Sequence, residues 1–214
     1  MKHVVGIDAN DDSATGAVAR HRKKNVYPYL RARGFTVDLY TGKKAQRALV
    51  AAAVSVRGVD YVTGVGHGAF DRYLGYQGLP IFQVGGYAPA EARTKVVHLL
   101  SCLTANGLGP DFVANGARAF FGYDTDFNFN TRTRDGCLEC DSEIDRGFAD
   151  GLTAHEVYQR TFAAFTRAAN EARRRSKPHM AARIENNRDH LCAPTVDPRF
   201  GQRGVRVVPK SKKR

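Results

Sequence analysis

Two short apolar runs in this chain end on side chains capable of nucleophilic chemistry. The first is Asp60-Tyr61-Val62-Thr63-Gly64-Val65-Gly66-His67-Gly68; the second is Lys95-Val96-Val97-His98-Leu99-Leu100-Ser101-Cys102. Cysteine attacks as the thiolate, so a catalytic cysteine needs a group that takes its proton, and imidazole serves that purpose. Gly66 and Gly68 clear side chains from around His67, which lets a substrate backbone approach. The amides of Gly68 and of Cys102 itself can then point at a developing oxyanion. Strands of a parallel sheet that are buried on both faces read as such runs, and ligands bind beyond their carboxyl ends. If the two runs are neighbouring strands, His67 and Cys102 meet at one sheet edge. The competing reading makes Cys102 a small buried hydrophobe and His67 a loop histidine.

Further residues invite chemical readings. Cys137-Leu138-Glu139-Cys140 has half the spacing of a zinc site, and His190-Leu191-Cys192 offers a second half. A structural zinc held by Cys137, Cys140, His190 and Cys192 would pin the segment before the long C-terminal helix to the end of the chain. A reducible loop disulfide, or thiols that simply pack, are the alternatives. His98 lies on the strand that leads to Cys102, on the cysteine's face but four residues away, and reads as a core histidine. Gly64-x-Gly66-x-Gly68 suggests a nucleotide loop, but it lacks the fingerprint's last glycine and opens no evident helix.

The elements that must position these residues alternate strand and helix. A strand over 3–9 is followed by a helical stretch from Ala17 to Arg33, interrupted at Pro28 and closed by Gly34. A second strand, Phe35 to Tyr40, precedes an alanine-rich helix from Lys44 to Val54 and then the run that ends at His67. This order predicts right-handed crossovers and a parallel sheet. Tyr73 to Val84 reads as a small hairpin, Pro110 to Asn115 as a helix and Ala117 to Tyr123 as another buried strand. The residues between Tyr123 and Gly151 read as a loop. Thr153 and Glu156 form a capping box for a helix that Pro178 stops, and Val205 to Val208 suggests an edge strand.

The whole chain sets limits. Its 214 residues, 43% of them hydrophobic, suit a single main domain. With 33 basic and 21 acidic residues the formal charge is +12, which favours an acidic partner. Much of that charge lies in Arg173-Arg174-Arg175-Ser176-Lys177 and in the tail from Arg203, where no aromatic residues interleave it, so a nucleic-acid surface is not expected. No apolar stretch is long enough to span a bilayer and no export signal is evident, so a cytoplasmic location without membrane contact is expected. Four cysteines in such a chain argue against a disulfide scaffold.

The blocks Val65-Gly66-His67-Gly68 and Leu99-Leu100-Ser101-Cys102 resemble those of the caspase-like (clan CD) cysteine peptidases, in which one apolar block ends in His-Gly and a later one in the cysteine. The narrower caspase signature Gln-Ala-Cys-x-Gly is absent. Ser101-Cys102-Leu103-Thr104-Ala105 and the run from Gly116 to Tyr123 look more like the bacterial gingipain-like branch. The resemblance implies an α/β, caspase-like three-layer sandwich with a mainly parallel, roughly six-stranded sheet and helices on both faces. It would span residues 1–202, followed by a basic tail over 203–214. It further implies a cysteine endopeptidase acting on peptide or protein substrates, with Cys102 as nucleophile, His67 as general acid or base, and Gly68 and Cys102 amides as the oxyanion hole. The chemistry requires no cofactor, although some relatives need calcium. Asp124 and Asp126, beyond the strand that ends at Tyr123, are positioned to select arginine or lysine, while Arg72 and Arg93 could instead receive an acidic residue. The alternative function is a catalytically silent binding or adaptor protein of the same fold, recruiting an acidic partner by charge.

Overall fold

Apolar strands separated by amphipathic segments can bury both faces of a sheet only by layering helices on each side, and the chain folds in that way. The computed structural model describes residues 3–130 and 134–207. The first strand, β1 (His3–Asp8), leads through α1 (Ser13–Asn25) and α2 (Tyr27–Ala32) to β2 (Thr36–Thr41). The break between these two helices comes at Val26, with Pro28 in the first turn of α2, where its missing N–H costs nothing. Gly34 takes φ +83° and turns the chain into β2. Next come α3 (Arg47–Val54) and β3 (Val59–Val65). An excursion of short strands follows, β4 (Gly68–Ala69), β5 (Arg72–Leu74) and β6 (Pro80–Gln83). The short α4 (Pro89–Ala92), β7 (Val96–Leu100), α5 (Leu108–Ala114) and β8 (Ala119–Tyr123) complete the alternation.

The main sheet has six strands in the order β2-β1-β3-β7-β8, with β9 (Leu191–Cys192) at the far edge. Every pairing is parallel except that of β9 with β8. The expected six-stranded, mainly parallel α/β sheet is therefore present. One face, with Val5, Ile7, Val62, Val97 and Phe120, packs on α3, α5 and the three-stranded β4-β5-β6 sheet. The other, with Val4, Tyr61, Val96 and Phe121, packs on α1, α2 and three C-terminal helices. These are α6 (Arg134–Ala149), α7 (Ala154–Arg174) and α8 (Pro178–Asp189).

Two of those helices depart from the sequence expectation. The residues read as a loop before Gly151 contain α6, because Asp141, Ser142 and Asp145 look like loop residues until their partners are known. Pro178 does stop α7, but it also occupies the first turn of α8. The C-terminal edge strand is likewise corrected. Arg206 makes only an isolated bridge to Thr153, and β9 takes the sheet edge instead. Val208 and the basic positions Lys210, Lys212, Lys213 and Arg214 lie outside the described residues. On the helical basic run, Arg173 pairs with Glu185, and Arg174 and Arg175 both pair with Glu171.

The carboxylates of α6 pack beneath the sheet into a buried charge cluster. Asp145 accepts from Arg22 Nη1 at 3.1 Å, from Tyr61 at 2.8 Å and from Thr63 at 2.7 Å. Arg22, 1% exposed, also reaches Asp8 at 3.3 Å. His98, fully buried as a core histidine, lies between Asp141 (3.2 Å) and Asp145 (3.3 Å). Burial alone would push the imidazole down, but Asp141 and then Asp145 outweigh it and hold it up at about 9. A group raised above its unfolded value of 6.5 contributes fully below that pH and loses its contribution as pH climbs through about 9. Urea unfolding across pH 6 to 10 is thus expected to lose a few kcal/mol over that window. A flat profile there would contradict a charged His98.

Candidate active site

The register of β3 on β7 decides where the two chemical runs end. Val65 pairs with Leu100 in a parallel ladder, so His67 and Cys102 each lie two residues beyond the last matched pair, at the carboxyl edge. Both line one small cavity, of about 100 Å³. The edge juxtaposition expected from the two apolar runs is realised.

Close backbone approach explains the glycine after the histidine. A Cβ on Gly68 would sit 2.4 Å from the Cys102 carbonyl oxygen and 2.8 Å from the Thr104 methyl. The His67-Gly68 turn and the Cys102 turn can therefore nest only because residue 68 lacks a side chain. Leu103, directly after the cysteine, is held at φ +62°, a conformation that non-glycine residues seldom adopt. Its amide donates to the Thr125 carbonyl, and Ala105 donates to Tyr123, which tie the cysteine turn to the end of β8.

The His67 ring has a partner that the sequence did not single out. Its Nε2 lies 2.5 Å from Asp12 Oδ2. Asp12 is the N-cap of α1, and its other oxygen accepts from the Thr15 amide at 2.8 Å. The hydrogen bond from His67, opposed by partial burial and aided by Thr15, draws the Asp12 carboxyl down to about 2. An ionised Asp12 only accepts, so the His67 Nε2–H is the donor of this bond and the ring's other nitrogen, Nδ1, is not engaged by Asp12. The available signal was the capping pattern Asp12-Ser13-Ala14-Thr15 after a strand end. It marks a helix start anywhere, and nothing in it points to a histidine 55 positions away.

Cys102 is partly buried, and burial pushes its thiol above the usual value. The Phe127 amide opposes that shift by bonding the sulfur, and the neighbouring Asp126 carboxylate reinforces it. The raised thiol is accordingly neutral at rest, so any reaction at its sulfur would have to remove the proton.

No family model matches the chain, and no curated protein matches its sequence. The site's meaning therefore rests on its own geometry.

The remaining candidates are distributed as follows. Asp124, read as a selector of basic side chains, accepts from His190 Nδ1 at 2.8 Å, while Asp126 stands beside the Cys102 thiol; neither lines the cavity. Arg72 pairs with Asp71 on the small sheet. Arg93 follows α4 and packs near Gly116. The structure does not bring Cys137 and Cys140 together with Cys192. A helix, rather than a loop, turns Cys137 and Cys140 into the core beneath one sheet face, while Cys192 belongs to the core on the other. Burial pushes the Cys140 and Cys192 thiols up to about 12. Among the described residues no group of three or more His, Cys, Asp or Glu side chains is placed to hold a metal ion, and no helix is long and apolar enough to cross a membrane.

Asp12 offers a separable test of the orientation it imposes on His67. Asparagine is also a good N-cap, so Asp12→Asn is expected to keep α1 and the thermal stability while removing the anion. If His67 acts as a proton carrier in a reaction, a turnover loss of about 10- to 100-fold is expected, smaller than the roughly 10⁴-fold effect of a fully buried triad carboxylate, because the His67 and Asp12 side chains are 53% and 45% exposed. Steady-state kinetics should show the loss in kcat with KM held; unchanged kcat would remove Asp12 from the machinery.

Proposed function

We propose that the protein is a cysteine endopeptidase of the caspase-like kind, with Cys102 as nucleophile, His67 as proton carrier and Asp12 as the residue that orients His67. The observation that carries this reading is the convergence of an Asp12-paired His67 and a neutral Cys102 thiol on one cavity at the carboxyl edge of a parallel sheet. In the acylation step the Cys102 sulfur bonds to the peptide carbonyl carbon while its proton passes to His67. His67 then delivers that proton to the leaving amine as the C–N bond breaks. Water, deprotonated by the same imidazole, hydrolyses the thioester, releasing the carboxylic acid and restoring the thiol. The Leu74 amide donates to the His67 carbonyl, which places Gly68 opposite Tyr73 in a non-hydrogen-bonded pair of the β4-β5 ladder. That leaves the Gly68 amide to serve the oxyanion together with the Cys102 amide.

Treatment with a peptidyl chloromethyl ketone tests the reading by intact mass and peptide mapping. Single-site modification at Cys102 that falls steeply in His67→Ala is expected. Labelling that is independent of His67, or spread over Cys137, Cys140 and Cys192, would count against it.

A further inference from the structure

The cavity beside Cys102 has walls whose chemistry bears on which peptide it takes. Its apolar lining comes from Ala14 and Val18 of α1, Val65 and Leu100 at the ends of β3 and β7, and Phe127 and Phe129 after β8. The polar side chains on this lining are engaged elsewhere. Thr15 Oγ1 accepts the Asp11 and Asp12 amides and donates to Asp12 at 2.9 Å. Ser101 Oγ shares a hydrogen bond with Thr104 at 3.1 Å, and His67 is held by Asp12. Among the described residues no Asp, Glu, Lys or Arg side chain lines the cavity. A charged substrate side chain entering it would shed its water against a described lining that offers no opposite charge of its own.

We propose that this cavity receives the side chain on the acyl side of the scissile bond and selects a neutral aliphatic one, valine or leucine in size. The inference rests on the peptidase reading. Size and polarity set the choice together. A dry apolar cavity of about 150 Å³ holds a benzene ring, so about 100 Å³ suits a side chain of three or four carbons. Arginine and aspartate are excluded by charge, tryptophan by volume. Asp124 and Asp126 do not reverse this, since neither is in the lining: the first is paired with His190 and the second is exposed to water. The cavity lies against both reacting groups, so a side chain seated in it brings its own carbonyl to the Cys102 sulfur.

The test compares rates of Cys102 modification by acetyl-tripeptidyl chloromethyl ketones whose last residue is leucine, valine, arginine, aspartate or tryptophan. Iodoacetamide serves as a measure of thiol access. Leucine and valine probes are expected to react about 100-fold faster than arginine or aspartate probes, the discrimination that an apolar pocket can supply. Equal or faster reaction of the arginine or aspartate probe overturns the specificity while leaving the peptidase reading standing. Alkylation of Cys102 by iodoacetamide without reaction of any peptidyl probe overturns the peptidase reading, and the specificity with it. Val18→Phe fills the cavity and should slow the leucine probe at least tenfold relative to iodoacetamide. Val18 is buried, so Ala14→Leu at the exposed rim of the same helix provides the variant whose folding is not at stake, with the same expected direction.

Discussion

Cys102→Ala and His67→Ala are each expected to abolish measurable peptide hydrolysis, with a loss of at least about 10³-fold in kcat/KM, while the thermal midpoint stays within about 2 °C of the parent. On the proposed reading Cys102 and His67 act as a unit, so the double variant should be no worse than either single one. Neither change disturbs the core. His67 is half exposed, and Cys102 is partly exposed at a strand end. Cys102→Ser is the sharper control, because it keeps the hydrogen bonding and volume but replaces a thiol by a far weaker acid; it should be inactive too. Residual turnover in Cys102→Ala above about 1% of the parent would mean that another group attacks. A fall in stability of several kcal/mol would mean instead that the cysteine's role is packing.

The second large effect is on folding. Asp145→Ala is expected to destabilise the protein by about 3 to 5 kcal/mol, because it removes the carboxylate shared by Arg22, His98, Tyr61 and Thr63 and strands a buried guanidinium. Burial alone would push the Asp145 carboxyl up, but Arg22 and His98 hold it well below the usual range, so it is ionised at neutral pH. Asp8 lacks that support. Burial raises its carboxyl against the pull of Arg22 and Tyr27, so Asp145 is the principal counter-ion. Urea denaturation checks the loss. Asp145→Asn should fall between parent and alanine, since it restores shape and an acceptor but no charge. Replacing the pair together, as Arg22→Met with Asp145→Leu, should recover only part of the stability, because it removes the stranded guanidinium but leaves Asp8, Tyr61 and Thr63 without their partners. A cost below about 1 kcal/mol for Asp145→Ala would show that the cluster admits water.

Particular residues explain which features the sequence disclosed. His67 and Cys102 were legible because each follows a short, mostly apolar run without helical spacing, as a strand buried on both faces reads, and parallel order puts such ends on one edge. Asp12 was not, because its partner arrives from a different βα unit. The acidic residues of α6 were misleading for a related reason. Asp141 and Asp145 are polar by type and buried by partnership, and the histidine and arginine that neutralise them come from β7 and α1. The Cys137-x-x-Cys140 spacing is compatible with a metal loop and with one turn of a helix packed into a core; local sequence does not distinguish them.

What the sequence by itself determined is the alternation of strand and helix, the parallel sheet this forces, and the arrival of an imidazole and a thiol at its carboxyl edge. Those are short-range properties, read from apolar runs and from chirality that admits one hand of crossover. Tertiary structure alone decided that Asp12 grips His67, that Gly68 lets two turns nest, that a charge cluster lies beneath the sheet, and that the cavity beside Cys102 is apolar. Each of these depends on the distance between side chains far apart in the chain, which only the packing of α1, α6 and the segment after β8 onto the sheet defines.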